Sequence, residues 1–458
     1  MTLEPETSES RLSDRLDVLA AEHGLPGSAV AARRNGHEVF AAGTGARDVD
    51  GALPVTPDTG FGVASVTKFL TAVLILQARD RGLLELTDPV SRFYPDLNCA
   101  RDAEMRLYHL LSHSAGLPGL PFRHLATPSS DAEGPGKMRT PGDLVAGMNA
   151  TRIEMLGAPG AYVSYSNEGF CLLGGIVEML GDCSFAEVAD RWVLRPLGMH
   201  RSFFCAGVTE DRTDLAMPLH RGASGLQACG FWDAPLFFPA GGLVASVRDM
   251  ARLISVLEGD TQVLGAKAAR DMISWSLPVA SRQGSGARYG LGLEVSALEN
   301  GHVLGWHTGQ RPGISSFVCH VVNGNVSVAF AANIADAPSA AIGGEVLAEL
   351  LAPESRDRSQ PPLAGRSASA GTDAVCGRYG SREMGVLKVA RAGDRLMVDL
   401  PSGRHELAFE TPYSGIVAGQ TFCFLREGAP ASARQTATAL ALDLRILPRL
   451  GGEGSLRQ

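Results

Sequence analysis

The chain has 458 residues, of which 45% are hydrophobic and 20% are charged, as is typical of globular proteins with two or three domains. Its formal net charge of -8 argues against nucleic acid as a main partner. No apolar run is long enough to span a membrane, and the acidic first residues are unlike a secretory signal. We therefore expect a cytoplasmic protein without a membrane partner.

The eight cysteines are scattered, and none has the spacing of a CxxC pair or of metal ligands. In a reducing compartment this pattern predicts buried free thiols. We expect neither a metal nor another cofactor. The eight are Cys99, Cys171, Cys183, Cys205, Cys229, Cys319, Cys376 and Cys423.

The first hundred residues predict a helix over 11–22 and a hairpin over 28–43 that turns at Asn35-Gly36. A strongly apolar helix is predicted from Ser65 to about residue 81. Ser65 would then lie at the N-terminus of this helix, among free backbone N–H groups and the positive end of the helix dipole.

The middle of the chain is predicted to be mainly helical. Residues 117–141 are rich in Gly, Pro, Ser and Asp and predict a loop. Helical patterns follow at 168–180 and 185–196, and a capping box at 246–249 opens a helix that runs to about 257.

Beyond the helical middle, strands are predicted over 315–322 and 326–332, with a helix over 341–351 that can pack against them. Strands that flank a helical middle indicate an α+β fold. We assign residues 1–352 to this first domain.

The C-terminal part predicts a separate all-β domain. Residues 353–372 are rich in Pro, Ser and charge and predict a linker, which leaves 373–458 for the second domain. This domain contains short alternating runs that predict strands of a small barrel or sandwich. The runs are 386–391, 395–400, 406–409, 421–426 and 436–446.

Ser65 and Lys68 are the first candidate catalytic pair, because residues three apart on a helix lie on one face. If burial holds Lys68 partly neutral, its amine can take the proton that the Ser65 hydroxyl loses when it attacks a carbonyl. The pair alone is weak evidence, because a capping serine followed by an exposed lysine is unremarkable.

Two further segments carry candidate site residues. Tyr165 and Asn167 lie on a Gly-bounded loop, and His307-Thr308-Gly309 follows a strand-like run. Taken singly, each is more often structural: a half-buried tyrosine, a turn former and a strand-end histidine.

Taken in order, these three motifs resemble the serine β-lactamase and penicillin-binding-protein superfamily, in particular its class C-like branch. Residues 110–117 (LLSHSAGL) and 239–243 (PAGGL) are similar to two further segments of that branch. The resemblance covers about residues 10–350. It implies an antiparallel sheet flanked by helices, with a helical lobe beside it and the site between them.

The resemblance also implies a role for each motif residue. Ser65 is the nucleophile that is acylated, and Lys68 is its proton acceptor. Tyr165 is a shared general base that later returns a proton to the leaving group, and Asn167 orients Lys68 and the substrate amide. The oxyanion hole is expected from the backbone N–H groups of Ser65 and Gln310.

The opposite wall of the site is expected to bind substrate through His307, Thr308 and Gly309. Phe231 and Trp232, together with Phe237 and Phe238, are predicted to form an apolar wall for the acyl side chain or, equally, part of the ordinary core. His113, in the LLSHSAGL segment, is interpreted as a structural loop residue.

Three departures from secreted penicillin-directed relatives narrow the expected reaction. His307 replaces the lysine that would be a permanent cation, the chain shows no export signal, and a β domain follows that resembles a lipocalin-like domain. Together these resemble the penicillin-binding-protein-type thioesterases, the stand-alone cyclases of nonribosomal peptide assembly.

That resemblance implies a substrate, a partner and two products. The substrate would be a peptidyl thioester, expected to end in a D-residue, carried on a peptidyl carrier protein. Release would give a head-to-tail macrolactam or, with water, the linear acid.

Two alternatives stay open from the sequence. The first is a cytoplasmic D-stereospecific aminopeptidase, amidase or esterase with the same site. The second is a non-catalytic acyl-binding or sensor protein, which the intact set of Ser65, Lys68, Tyr165 and Asn167 disfavours. The oligomeric state is open.

Overall fold

The structure is a computed structural model. It describes residues 8–120, 138–151, 153–204, 214–230, 234–259, 261–280, 286–298, 301–351, 375–381, 385–392, 395–400, 402–409, 414–417, 420–426, 429–430, 439–442 and 444–450. Phe231, Trp232, Cys205 and the predicted linker at 353–372 lie outside these residues.

Helices occupy the N-terminus, the middle and the end of the first 351 residues. In chain order, α1 to α11 are Ser8–Glu22, Thr67–Asp80, Asn98–Asp102, Leu107–Leu111, Pro141–Ala150, Asn167–Gly181, Phe185–Ala189, Phe238–Gly241, Val247–Ile254, Ala266–Ser274 and Ser339–Leu351. Helix α7 continues as a short π-helical turn over Asp190–Leu194.

Strands of the first part flank this helical middle. In chain order, β1 to β13 are Gly27–Arg34, His37–Gly45, Phe61–Gly62, Phe203–Phe204, Leu219–Gly222, Gly225–Ala228, Leu243–Ala245, Leu277–Pro278, Arg288–Tyr289, Glu294–Ala297, Val303–Arg311, Ile314–Val321 and Val326–Ala332. Eight of them form one antiparallel sheet in the order β2-β1-β13-β12-β11-β10-β9-β8.

Helices cover both faces of this sheet, which explains why every residue of β12 and β13 is buried. Helix α11 packs on β12 and β13 from one side, and α9 packs on β1, β12 and β13 from the other. The sequence prediction of an antiparallel sheet flanked by helices, with a helical lobe beside it, is confirmed. The hairpin at Asn35-Gly36 is also as predicted, because both residues have the positive φ that its tight turn requires.

The helical lobe is built around α2. Twelve of its fourteen residues are buried, and it packs against α6 and α8. A helix that is apolar on all sides is stable only at the centre of a core. The same core contains Phe237 and Phe238, so these two residues of the predicted apolar wall belong to the interior.

The C-terminal part is an all-β region with its own core, as the sequence predicted. Its strands β14 to β23 are Gly377–Ser381, Gly385–Ala392, Arg395–Leu400, Gly403–Glu406, Ala408–Phe409, Ser414–Val417, Gln420–Arg426, Ala429–Pro430, Ala439–Leu442 and Arg445–Leu450. They pair antiparallel in the order β17-β16-β15-β14-β23-β22-β20-β19-β18, with β21 beside β20.

The prediction of one strand over 436–446 is wrong. This segment contains β22 and the start of β23, which pair as a hairpin with Leu442 opposite Arg445. The alternation of Leu440, Leu442, Leu444 and Ile446 continues across both strands without interruption, so the pattern shows no turn. The error concerns the site, because this hairpin tip packs against the first part of the chain. Leu444 joins a cluster with Val163, Val279 and Tyr289.

Within the described residues, no single helix is both long and apolar enough to cross a membrane. Only when taken together are the consecutive segments Asn167–Gly181 and Phe185–Leu194 long and apolar enough to do so, and they meet at a bend of 74°.

Candidate active site

Ser65 lies in a one-turn 3-10 helix, Ala64–Val66, that runs directly into α2. We expected it at the start of the α-helix itself, but that helix begins two residues later, at Thr67. Ala64 has φ +46, a conformation that costs free energy for any residue with a side chain. Such strain persists only where the surroundings enforce it. Here Thr67 Oγ1 donates to the Ala64 carbonyl at 2.7 Å, and the Val63 N–H donates to Leu243 O at 2.9 Å.

Lys68 is completely buried and surrounded by oxygen acceptors. Its Nζ lies 3.2 Å from Ser65 Oγ, 2.8 Å from Asn167 Oδ1 and 2.6 Å from Ala240 O. The charged amine can therefore donate one hydrogen bond to each oxygen. Ala240 belongs to the PAGGL segment, so this segment contributes a backbone carbonyl to the site.

This geometry also suits a neutral amine. A neutral lysine has two N–H groups and one lone pair. If Asn167 Oδ1 and Ala240 O retain the two N–H groups, the lone pair faces Ser65 Oγ at 3.2 Å. The arrangement can therefore take a proton from the serine hydroxyl and later return it.

Tyr165 and Asn167 are placed by the beginning of α6. Ser166 caps this helix, because its Oγ accepts the Gly169 N–H at 3.2 Å. Asn167 is the first helical residue, half-buried, with its Oδ1 on Lys68. Tyr165 is 7% exposed, and Lys68 Nζ lies 4.8 Å from the centre of its ring. The structure thus brings Ser65, Lys68, Tyr165 and Asn167 into one cluster.

The C-terminal hairpin reaches this cluster. The Tyr165 N–H donates to Leu444 O at 2.8 Å, and the guanidinium carbon of Arg445 lies 4.5 Å from the centre of the Tyr165 ring. Tyr165 therefore has two cationic side chains against its ring, from Lys68 and Arg445. Sequence reasoning missed Arg445, because it lies in a run that was predicted to be one continuous strand.

His307 lies on β11, fully buried and neutral. Its Nδ1 donates to the Thr308 carbonyl at 2.5 Å, which leaves Nε2 to accept from the Tyr289 hydroxyl at 3.0 Å. Burial lowers the pKa of His307 to about 3, and the positive charge of Lys68 acts in the same direction. Both ring nitrogens are thus engaged within the protein, so His307 itself presents no cation to the site.

Tyr289 is a second residue that sequence reasoning missed. It is fully buried on β9, and burial raises the pKa of its hydroxyl well above the ordinary value. The sequence around Tyr289 points to it only weakly, because this tyrosine lies between Arg288 and Gly290 in a segment without a recognisable motif.

The remaining predicted residues of the wall occupy consecutive positions of β11. A side chain at Gly309 would meet Val63 O at 2.1 Å, so glycine is required where the strand touches the segment before Ser65. Thr308 is half-buried, and the Gln310 side chain donates to Asp336 at 2.6 Å. The expected oxyanion hole at the N–H groups of Ser65 and Gln310 stays a prediction.

No group of three or more His, Cys, Asp or Glu side chains in the described part of the chain could hold a metal ion. The described cysteines are free thiols; they are Cys99, Cys171, Cys183, Cys229, Cys319 and Cys376.

A protein-family model described as Beta-lactamase matches residues 12–352. Among curated proteins, a D-aminopeptidase of Gluconobacter oxydans is 28% identical over 382 residues, which are 82% of this chain and 67% of that protein. A β-lactamase of Yersinia enterocolitica is 28% identical over 192 residues, 42% of this chain. The match spans about half of that β-lactamase, 46% of its length.

Among solved structures, a crystal structure of SurE has a TM-score of 0.72 at 23% identity and covers 97% of this chain and 99% of its own. A second SurE structure, with D-Leu, has a TM-score of 0.71 at 24% identity, with the same coverage. A likeness at this level of identity concerns the fold, and it includes the all-β C-terminal part.

Proposed function

The chain belongs to the β-lactamase family, and we propose that it is a penicillin-binding-protein-type thioesterase that releases a peptidyl thioester from a peptidyl carrier protein. Members of this superfamily are serine hydrolases and acyltransferases, which is the activity class of the chain. The finer proposal is that the acyl group is a peptide, the leaving group is a phosphopantetheine thiol, and the product is a head-to-tail macrolactam or the linear acid.

The observation that carries the proposal is the neutral His307. A substrate whose free carboxylate is recognised at this position needs a permanent cation there, but both nitrogens of His307 bind internal partners and its pKa is about 3. A peptidyl thioester has no carboxylate at the reacting carbonyl. A neutral imidazole at this position therefore suits it, because it demands no counter-ion.

In the proposed acylation step, Ser65 Oγ attacks the thioester carbonyl while its proton passes to the Lys68 amine, 3.2 Å away. The proton then passes from Lys68 through the Tyr165 hydroxyl to the sulfur as the C–S bond breaks, and the thiol leaves. The peptide is then an ester on Ser65. In the second step the N-terminal amine of the peptide attacks this ester and loses a proton to Tyr165. The proton returns to Ser65 Oγ as the C–O bond breaks.

The β22–β23 hairpin is proposed to favour the amine over water as the second nucleophile. Its tip lies directly against Tyr165 through Leu444 O, and Leu444 packs with Val163 and Val279. Apolar side chains beside the proposed base reduce the access of water to the acyl ester.

A D-residue at the acyl position is part of the proposal. The D-aminopeptidase relative matches across 82% of this chain, and the SurE structure with D-Leu shares the fold. The same match favours a second candidate function, a D-stereospecific aminopeptidase. Ser65 would again carry an acyl ester, here of a single D-aminoacyl group, with an amine in place of the thiol as leaving group.

The proposed partner, a carrier protein with a phosphopantetheine arm, implies a cytoplasmic protein. The free thiols of the six described cysteines suit a reducing compartment. Comparison of a carrier-bound thioester with the same peptide on a short thiol tests this partner. Equal kcat/KM for the two would argue against carrier recognition.

The test of the function is a paired assay on wild type and Ser65→Ala. A fluorophosphonate probe should label wild type and not Ser65→Ala; Ser255→Ala, at a serine whose hydroxyl donates to Arg252 O, should be labelled normally. A peptidyl thioester ending in a D-residue should give a product lighter than the linear acid by one water. Linear acid alone, with faster cleavage of D-aminoacyl amides, would favour the aminopeptidase. An unlabelled wild type would exclude both.

A further inference from the structure

His113 is the residue on which this inference depends, although the sequence pattern suggested only a loop residue. It follows α4 and has φ +52, a left-handed conformation that favours glycine. Its neighbours hold this turn, since the His113 N–H donates to Leu110 O at 3.2 Å and the Ser114 N–H to His109 O at 2.8 Å. The chain keeps a bulky residue where glycine would be easier. This points to a use for the side chain.

The backbone on both sides of Tyr165 is bonded to His113. The Ser164 N–H donates to the His113 carbonyl at 2.7 Å, and the Ser166 N–H donates to His113 Nδ1 at 3.1 Å. One residue therefore holds the residue before and the residue after the proposed base. Because Ser166 caps α6, the second bond also sets where the helix begins.

The imidazole ring packs directly on Tyr165. The two ring centres are 4.1 Å apart with the planes inclined by 36°, and the ring also contacts Phe170 and Tyr289 at 4.9 and 4.7 Å. His113 is 2% exposed. The phenol ring of Tyr165 is thus supported by a fixed surface on the side of His113, while its backbone is held from both ends.

The protonation state of His113 suits this use. A ring that accepts a hydrogen bond at Nδ1 is neutral and carries its proton on Nε2. Burial lowers the pKa of His113 well below the ordinary value, helped by the positive charge of Lys68 and by His307 and Arg445. The acceptor therefore persists at neutral pH.

We infer that His113 is a positioning residue for Tyr165: its carbonyl and its Nδ1 hold the backbone on both sides, and its ring holds the phenol. The inference rests on the proposed role of Tyr165 in acylation. It predicts that His113 touches no substrate and that its loss has the same effect as misplacement of the base.

The test measures the rate at which a fluorophosphonate probe labels Ser65. His113→Leu removes the acceptor and should slow labelling on the order of 100-fold, the size of effect that an ångström of misplacement produces. His113→Asn retains an acceptor near the Nδ1 position and tolerates the left-handed backbone. It should lose less than about tenfold. His113→Gln, whose amide reaches the Nε2 position instead, replaces His113→Leu if the latter does not fold.

His109→Asn is the matched control. His109 is a second buried histidine, four residues earlier in α4, and its Nδ1 also accepts a backbone N–H, from Arg106 at 3.0 Å, but this bond holds the start of α4. Its substitution should leave the labelling rate within about threefold of wild type. Thermal unfolding of every variant shows whether a loss of rate is a loss of fold.

Combination with Tyr165→Phe separates positioning from general disruption. If His113 acts through Tyr165, His113→Leu should slow the Tyr165→Phe protein by less than about threefold. The inference is overturned if the two losses multiply, if His113→Asn is as slow as His113→Leu, or if His113→Leu labels as fast as wild type. An unlabelled wild type, or a Tyr165→Phe protein at the wild-type rate, instead overturns the proposed function and the inference with it.

Discussion

The site has two walls, a helical wall that carries Lys68 on α2 and a strand wall that carries His307 on β11. The basic nitrogens of the two walls have different hydrogen-bond partners. On the helical wall, the buried Lys68 amine faces three oxygens, one of which is the Ser65 hydroxyl. On the strand wall, the buried His307 has one nitrogen on its own backbone and the other on Tyr289. Both groups lie in the same dry environment. The difference shows that burial alone does not create a catalytic base, because the unshared lone pair must face the nucleophile.

The largest expected effect comes from removal of the Lys68 amine, and the matching change at His307 should have a much smaller one. Lys68→Met should slow labelling of Ser65 by about 10³-fold, because the proton acceptor is lost. His307→Gln should cost about tenfold or less, since its amide oxygen can still accept from Tyr289. Both rates are measured with the same fluorophosphonate probe, and circular dichroism checks the fold. Equal losses in the two variants would contradict the contrast between the walls.

The contact between the walls is tested at Gly309. The Cβ of Gly309→Ala would lie 2.1 Å from Val63 O and 2.3 Å from Ser316 Oγ, so the strand must move away from the segment before Ser65. We expect a loss of about 1–3 kcal/mol in the free energy of unfolding, measured in urea, and slower labelling.

Gly344→Ala is the control for Gly309→Ala. Gly344 lies in α11, where a Cβ meets nothing within 4 Å, and alanine there should stabilise the helix by up to about 1 kcal/mol. A Gly309→Ala protein as stable and as active as wild type would mean that the two walls are not in close contact.

Acid should lower the stability of the fold through His307. The folded pKa of about 3 lies below the unfolded value of 6.5, so the unfolded chain binds a proton that the fold does not. Stability is therefore complete above pH 6.5 and falls as the pH drops towards 3. At pH 5 the loss is about 2 kcal/mol for such a histidine.

Urea unfolding at pH 7 and pH 5 measures this loss in the free energy of unfolding. In His307→Gln the loss should be smaller than in wild type by about 2 kcal/mol, which is what one such histidine contributes. His320, a buried histidine outside the site with a pKa lowered by burial to about 4, offers the comparison. His320→Asn should reduce the loss of stability between pH 7 and pH 5 by a similar amount, without slowing the labelling of Ser65. If His307→Gln loses as much stability as wild type between the two pH values, His307 is not neutral in the fold.

The smallest expected effect concerns the cation from the C-terminal hairpin. Arg445→Leu should slow labelling by roughly tenfold, because a cation–π partner of Tyr165 is lost. Arg445→Lys should recover part of the rate. Arg395→Leu, at an exposed arginine of the same sheet that pairs with Glu406, should have no effect. An unchanged rate in Arg445→Leu would limit the hairpin to a structural role.

Local patterns predicted the elements well where one segment determines its own structure. The Asn35-Gly36 turn, the buried α2 and the antiparallel strands around the helical middle all follow from turn residues and periodicity. The same approach failed at residues 436–446, because leucine and isoleucine continue to alternate across both strands of the hairpin. The missed turn placed Arg445 beside Tyr165.

The spacing of Ser65 and Lys68 by itself placed a hydroxyl and an amine one turn apart, and the family resemblance added Tyr165 and Asn167. Only the tertiary structure decided what surrounds them. Lys68 reaches Asn167 and Ala240 across 99 and 172 residues of chain, and His307 meets Tyr289 from another strand. Such contacts depend on how distant elements pack, and periodicity describes only which face of each element is buried.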